Sequence, residues 1–131
     1  MIEFFLPMIP PRVTEQEHKA ARWGDSIRVY RDERLQDARK KFIAHLAPHA
    51  PETPFTSAVR LITKWCFPSN NRHPDGSYKT TAPDTDNLIK LFKDCMTAVG
   101  FWENDALVAS EITEKFWADL PGIYVRLEEL E

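Results

Sequence analysis

A chain of 131 residues with 43% apolar content is the length of one domain and can bury a core without disulfides or metals. No run approaches the roughly 18 apolar residues that span a bilayer, and the opening MIEFFLP lacks a basic leader and a cleavage site, so a soluble, cytoplasmic protein is expected, with residues 1–131 as one unit. The net charge of −3 argues against a polyanion partner only until its distribution is read: residues 10 to 45 hold nine Lys/Arg against six Asp/Glu, 60 to 93 hold six against three, and 94 to 131 hold two against nine.

Residues 2 to 6, IEFFL, predict a short apolar strand that ends at Pro7, with Ile9-Pro10-Pro11 as a stiff turn after it. Residues 12 to 29 show no clean period and read as an irregular basic segment ending in a strand at Ser26 to Val29. From Tyr30 to Leu46 the apolar positions Leu35, Ala38, Phe42 and Leu46 form one helical stripe, and Arg31, Arg34, Arg39, Lys40 and Lys41 give that helix a basic outer side. Pro48, Pro51 and Pro54 break the chain before Ser57 to Phe67, where Val59, Leu61, Thr63, Trp65 and Phe67 alternate as a strand. Pro68 to Pro83 is a loop long enough to suggest function.

A second helix is predicted from Asn87, on the spacing of Leu88, Leu91, Phe92, Cys95 and Val99, with Gly100 as its stop. Val108 to Glu114 alternates as a strand, and Ile123, Val125 and Leu127 make a last one after the Pro121-Gly122 turn. Strand, helix, strand, helix, strand, strand is the pattern of a single two-layer α/β (α+β) domain: a mixed sheet with two main helices. Cys66 and Cys95 read as buried reduced thiols, and His18, His45, His49 and His73 lack metal-ligand spacing. Phe101 and Trp102 read as core plugs at a helix exit, and Asp94 as a surface ion-pair partner of Lys90.

The chemistry concentrates between Pro83 and Asp105. Asp84 and Asp86 are two apart in a Pro-led segment, so in an extended conformation both side chains leave the same side of the backbone. Lys90 lies one helical turn beyond Asp86, near enough to share an anionic ligand, and Asp105 returns after the aromatic pair. Carboxylates are hard oxygen ligands suited to Mg²⁺, and metal-assisted phosphodiester hydrolysis needs such ligands with a nearby cation to take up developing charge. Aspartates before a helix are also common as caps, so spacing alone leaves both readings open.

The run DTDNLIKLFKDCMTAVGFWENDALV, residues 84–108, resembles the RusA-type family of Holliday junction resolvases. That family's motif is Asp-x-Asp-Asn opening a helix, a lysine one turn on, and an acidic pair after an aromatic segment. The resemblance implies an α/β homodimer, bacterial or phage-encoded, that cuts four-way DNA junctions in recombination and repair by paired nicks with Mg²⁺, Mn²⁺ being an alternative ion. It implies that Asp84, Asp86 and Asp105 bind metal and that these three with Lys90 are catalytic.

The chain departs from the family pattern at Asn104, where a second Asp is common, and at Leu107, where Gln is common. SYKTTAP replaces a basic lead-in, leaving Lys79 alone, and the N-terminal proline turn lacks its Asn. Loss of phosphate contacts weakens DNA affinity, and Arg72, His73 and Lys79 of the long loop with Lys40 and Lys41 of the basic helix are the expected replacements. A junction-binding protein that kept the fold but lost cleavage is therefore the alternative. A sugar-nucleotide transferase using D-x-D is disfavoured, because 131 residues leave little room for a nucleotide domain.

Overall fold

A computed structural model describes the backbone of residues 1–12 and 25–131 and the side chains of 1–12 and 33–131. In chain order the elements are β1 (Ile2–Leu6), α1 (Asp25–Leu46), β2 (Val59–Pro68), α2 (Thr85–Val99), β3 (Val108–Ala118) and β4 (Gly122–Glu129), with 3-10 turns at Ala47–His49 and Asp105–Leu107. The irregular segment expected before Asp25 falls largely at residues 13–24, outside the described residues. The strand expected at Ser26 to Val29 is instead the opening of α1. Ile27 and Val29 supply too short an alternation to distinguish a strand from a helix, and once the stripe beyond Tyr30 forms a helix, each residue added to its start gains a backbone hydrogen bond.

The four strands form one mixed sheet in the order β1-β4-β2-β3. β4 pairs antiparallel with both β1 and β2, whereas β2 and β3 run parallel. Parallel neighbours cannot be joined by a tight turn, so the chain crosses over through α2. Alternation along β2 buries Val59, Leu61, Thr63, Trp65 and Phe67, and their side of the sheet continues through Ile123, Val125 and Leu127 of β4. Ala38, Phe42 and Leu46 of α1 and Leu88, Leu91, Phe92, Cys95 and Met96 of α2 share the same core. The result is one α+β domain: two helices and a sheet, with no described helix long and apolar enough to cross a membrane.

Three aromatic rings lock this junction. Phe92 meets Phe42 and Trp65 edge-on, with centroids 5.2 and 5.1 Å away, and Phe42 meets Trp65 at 5.8 Å. The Trp65 indole N–H donates to Thr63 Oγ1 at 2.9 Å, so the one buried hydroxyl among these strand positions has a partner. Since Phe92 is fully buried where α1, α2 and β2 meet, Phe92→Ala is expected to cost about 3–5 kcal/mol of stability. Chemical denaturation checks this: a loss below about 1 kcal/mol would show that the junction closes around the gap.

Candidate active site

α2 carries the site because both its ends are held from outside. At its start, Asp84 is extended (φ −73°, ψ 150°) and caps the helix through its backbone, its carbonyl accepting from Leu88 N at 3.1 Å. Its carboxylate makes no capping hydrogen bond. The simplest structural role of an aspartate at this position, accepting from the first-turn amides, is thus not the one it fills. Asp86 already lies in the first helical turn, which corrects the expectation of an extended Asp84–Asp86 pair pointing to one side. Pro83 restrains the residue before it, not those after it, so helix geometry begins immediately beyond Asp84.

At its far end α2 stops at Gly100, whose φ of +96° belongs to the left-handed region that favours glycine. The Phe101 amide then donates to the Met96 carbonyl at 3.0 Å, and the Trp102 indole to Thr97 Oγ1 at 2.7 Å. Both rings are buried, as their reading as core plugs requires. This exit delivers the turn Asp105–Leu107 beside the last part of the helix. Asn104 shapes that turn by accepting from the Ala106 amide at 2.8 Å. Aspartate forms the same cap, so Asn104 preserves the local geometry of the family pattern while removing one negative charge.

Asp86 lines a groove with Thr85, Ile89, Glu111 and Thr113, the last two projecting from β3. Asp105 lines a different groove with Arg39 of α1, Asp94, Thr97, Glu103 and Asn104. Thr97 is 97 − 86 = 11 positions beyond Asp86, about 16 Å along the axis at ~1.5 Å per residue. Among the described residues no three His, Cys, Asp or Glu side chains converge as a metal site. One chain therefore sets Asp84 and Asp86 at one end of α2 and Asp105 at the other, with Lys90 exposed between them. Neither Asp84, Asp86 nor Asp105 has a side-chain hydrogen bond or ion pair among the described residues. The carboxylate chemistry suits a hard divalent cation, but a single chain does not assemble the set.

Sequence reasoning missed Glu111, Thr113 and Arg39 as neighbours of the aspartates. Their signal lies in topology: the parallel crossover puts the odd-numbered positions of β3 beneath α2, and the α1 stripe turns Arg39 toward the exit of α2. Glu111 also holds Lys93 Nζ at 3.3 Å, fixing β3 against the helix.

The cationic residues divide into exposed and interior. Arg12, Arg34, Asp37 and Lys41 line a groove with Pro11 and Ala38, and Lys40 is exposed beside it on α1. Arg72 is exposed on a turn in which Asn70 Oδ1 accepts from the Arg72 and His73 amides at 2.9 and 3.0 Å. Lys79 is only 4% exposed: its ammonium lies 4.2 Å from the Trp117 ring centre and 5.1 Å from that of Phe67, and it donates to Thr81 Oγ1 at 2.5 Å. Burial, then Arg12 and Lys115, hold its pKa below the usual lysine range. Lys79 is an interior cation on an aromatic bed, in contrast to the surface contact expected of it. His73 covers the same Trp117 ring at 4.3 Å. Burial and Asp75 push the Cys66 thiol up, and Cys95 is fully buried, so both make poor nucleophiles.

The family model described as Endodeoxyribonuclease RusA matches residues 9–128. No curated protein matches the chain. From the cap geometry, Asn104→Ala is expected to lose about 1 kcal/mol at the Asp105 turn and Asn104→Asp to lose almost none. Thermal denaturation of the two variants checks it, equal losses counting against the cap.

Proposed function

The chain belongs to the RusA family of endodeoxyribonucleases, and we propose that it is a Mg²⁺-dependent resolvase of four-way DNA junctions that works as a homodimer. The observation that carries this reading is the set of carboxylates without partners among the described residues. Asp84, Asp86 and Asp105 sit at groove edges or helix ends, have no side-chain partner among the described residues, and occupy the motif positions of the family. A two-fold substrate requiring two cuts is matched by a two-fold pair of sites. With the aspartates of one chain at opposite ends of α2, an antiparallel approach of two such helices brings Asp105 of one subunit to Asp84 and Asp86 of the other.

In that arrangement the three carboxylates would hold the divalent ion, which supplies activated water and charge neutralisation at the scissile phosphate. The chain's own residues do the rest. Lys90 carries positive charge about 6 Å along the helix from Asp86, where it can meet a phosphate oxygen as charge develops. Arg39 brings a guanidinium to the Asp105 groove. The groove of Arg12, Arg34 and Lys41, with Lys40 beside it, is the proposed track for the DNA backbone, with exposed Arg72 as a further contact.

Two measurements test this reading. Asp86→Asn and Asp105→Asn should each abolish nicking of a synthetic four-way junction in Mg²⁺. Co-expressed, they should regain about a quarter of the wild-type sites, because random pairing makes half the dimers mixed and each mixed dimer holds one intact shared site. Absence of regain would place each site within one chain, and junction binding without nicking by the wild type would favour the binding-only alternative. For the DNA track, Lys41→Ala or Arg12→Ala should lower the slope of log affinity against log salt by about 0.9 per lost phosphate contact. Lys79→Met should leave that slope unchanged, and equal effects of all three would reject the division into track and interior cation.

A further inference from the structure

Lys115 lies on β3 opposite Trp65 of β2, and by the alternation of a strand its side chain shares a face with Thr113 and buried Trp117, toward the helices. Its ammonium donates to two backbone carbonyls, those of Thr81 and Pro83, each at 2.8 Å. Its own carbonyl accepts from the Lys79 amide at 3.0 Å. Both contacts fall on the three residues that lead into Asp84. One ammonium thus holds two carbonyls of the same short segment, and hydrogen bonds from a charged donor are stronger than those between neutral groups.

The clamp matters because of what Asp84 lacks. An N-cap aspartate ordinarily fixes its own position by accepting from the amides of the first turn, and Asp84 makes no such bond. Its backbone is tied on the helix side by the Leu88 amide, 3.1 Å from the Asp84 carbonyl. On the loop side the ties nearest to it are those from Lys115. We propose that Lys115 is a positioning residue: its ammonium pins the Thr81–Pro83 backbone to β3 and thereby sets where the Asp84 carboxylate stands relative to Asp86. The inference rests on the reading of Asp84 as an active-site carboxylate, and it adds a residue outside the motif on which that reading is built.

Lys115→Met keeps the aliphatic stem while removing both hydrogen bonds. A displacement of about 1 Å at a reacting group costs as much as 100-fold in rate, so kcat for junction nicking should fall by about 10- to 100-fold. Junction affinity measured without divalent ions should stay within about twofold, since no DNA contact is lost. Lys115→Arg, whose guanidinium can also donate to two carbonyls, should recover most of the rate. Amide hydrogen exchange at residues 88–90, the first amides of α2 that donate to helix carbonyls, should quicken in Lys115→Met and not in Lys115→Arg, while β4 stays unchanged.

Wild-type kcat in Lys115→Met would overturn the proposal, as would a fall in rate matched by an equal fall in junction affinity. If the wild-type protein itself fails to nick junctions, the nuclease reading falls, and the clamp is decided by exchange alone: unchanged protection at 88–90 in Lys115→Met overturns it, and selective loss there upholds it.

Discussion

Burial of one face of α2 fixes the rotation of that helix, and the polar face follows from it. Leu88, Leu91, Phe92, Cys95 and Met96 cannot leave the core without exposing large apolar surfaces, each worth on the order of 1.5–3 kcal/mol. The Phe42–Trp65–Phe92 cluster then ties the helix to both α1 and β2. With the inner face held, Asp86 and Lys90 have no choice of side, and Asp94 and Thr97 are carried to the groove that Asp105 enters. The same packing that stabilises the domain thus aims its charged groups.

The parallel pairing of β2 with β3 is the second constraint. It requires a crossover, and the crossover separates the acidic residues, because Asp84 precedes the helix while Asp105 follows it. Compactness of one chain cannot bring the two ends of a 15-residue helix together. A second subunit can. Under the proposed function, a homodimer would complete each site as well as match the symmetry of a four-way substrate.

Cations with the same charge serve different ends according to depth. Lys79 rests on Trp117 and Phe67 inside the loop, Lys115 reaches from β3 to the backbone before Asp84, and Arg12 and Lys41 stay at the surface. Buried Lys79 and half-buried Lys115 organise the segment between β2 and α2, which runs along β3 through the Tyr78–Phe116 bridge and the Gly76 and Lys79 amides. Among the described residues, the groove on α1 is an outward-facing cationic surface, the one proposed as the DNA track. The protein's net negative charge is consistent with this division, since what matters for phosphate is which cations face outward.

Periodicity made most of the fold legible before any coordinates. The stripe of α2, the alternation from Val59 to Phe67 and the Gly100 stop each follow from local chemistry, and so do the order of elements and the aromatic plug at Phe101 and Trp102. The motif from Asp84 to Asp105 identified the family, because spacing within one helix and its exit is a property of the chain itself. The start of α1 was not legible, since the four residues from Ser26 fit a strand as well as a helix until neighbours decide. Nor was the burial of Lys79, which depends on Trp117 arriving from a strand far along the chain. Local sequence determined the elements and the residues that carry charge. Only the tertiary structure decided which charges meet: the separation of Asp105 from Asp86, the partnership of Lys115 with the entry to α2, and the place of Arg39 all depend on how distant segments are brought side by side by sheet pairing and helix packing.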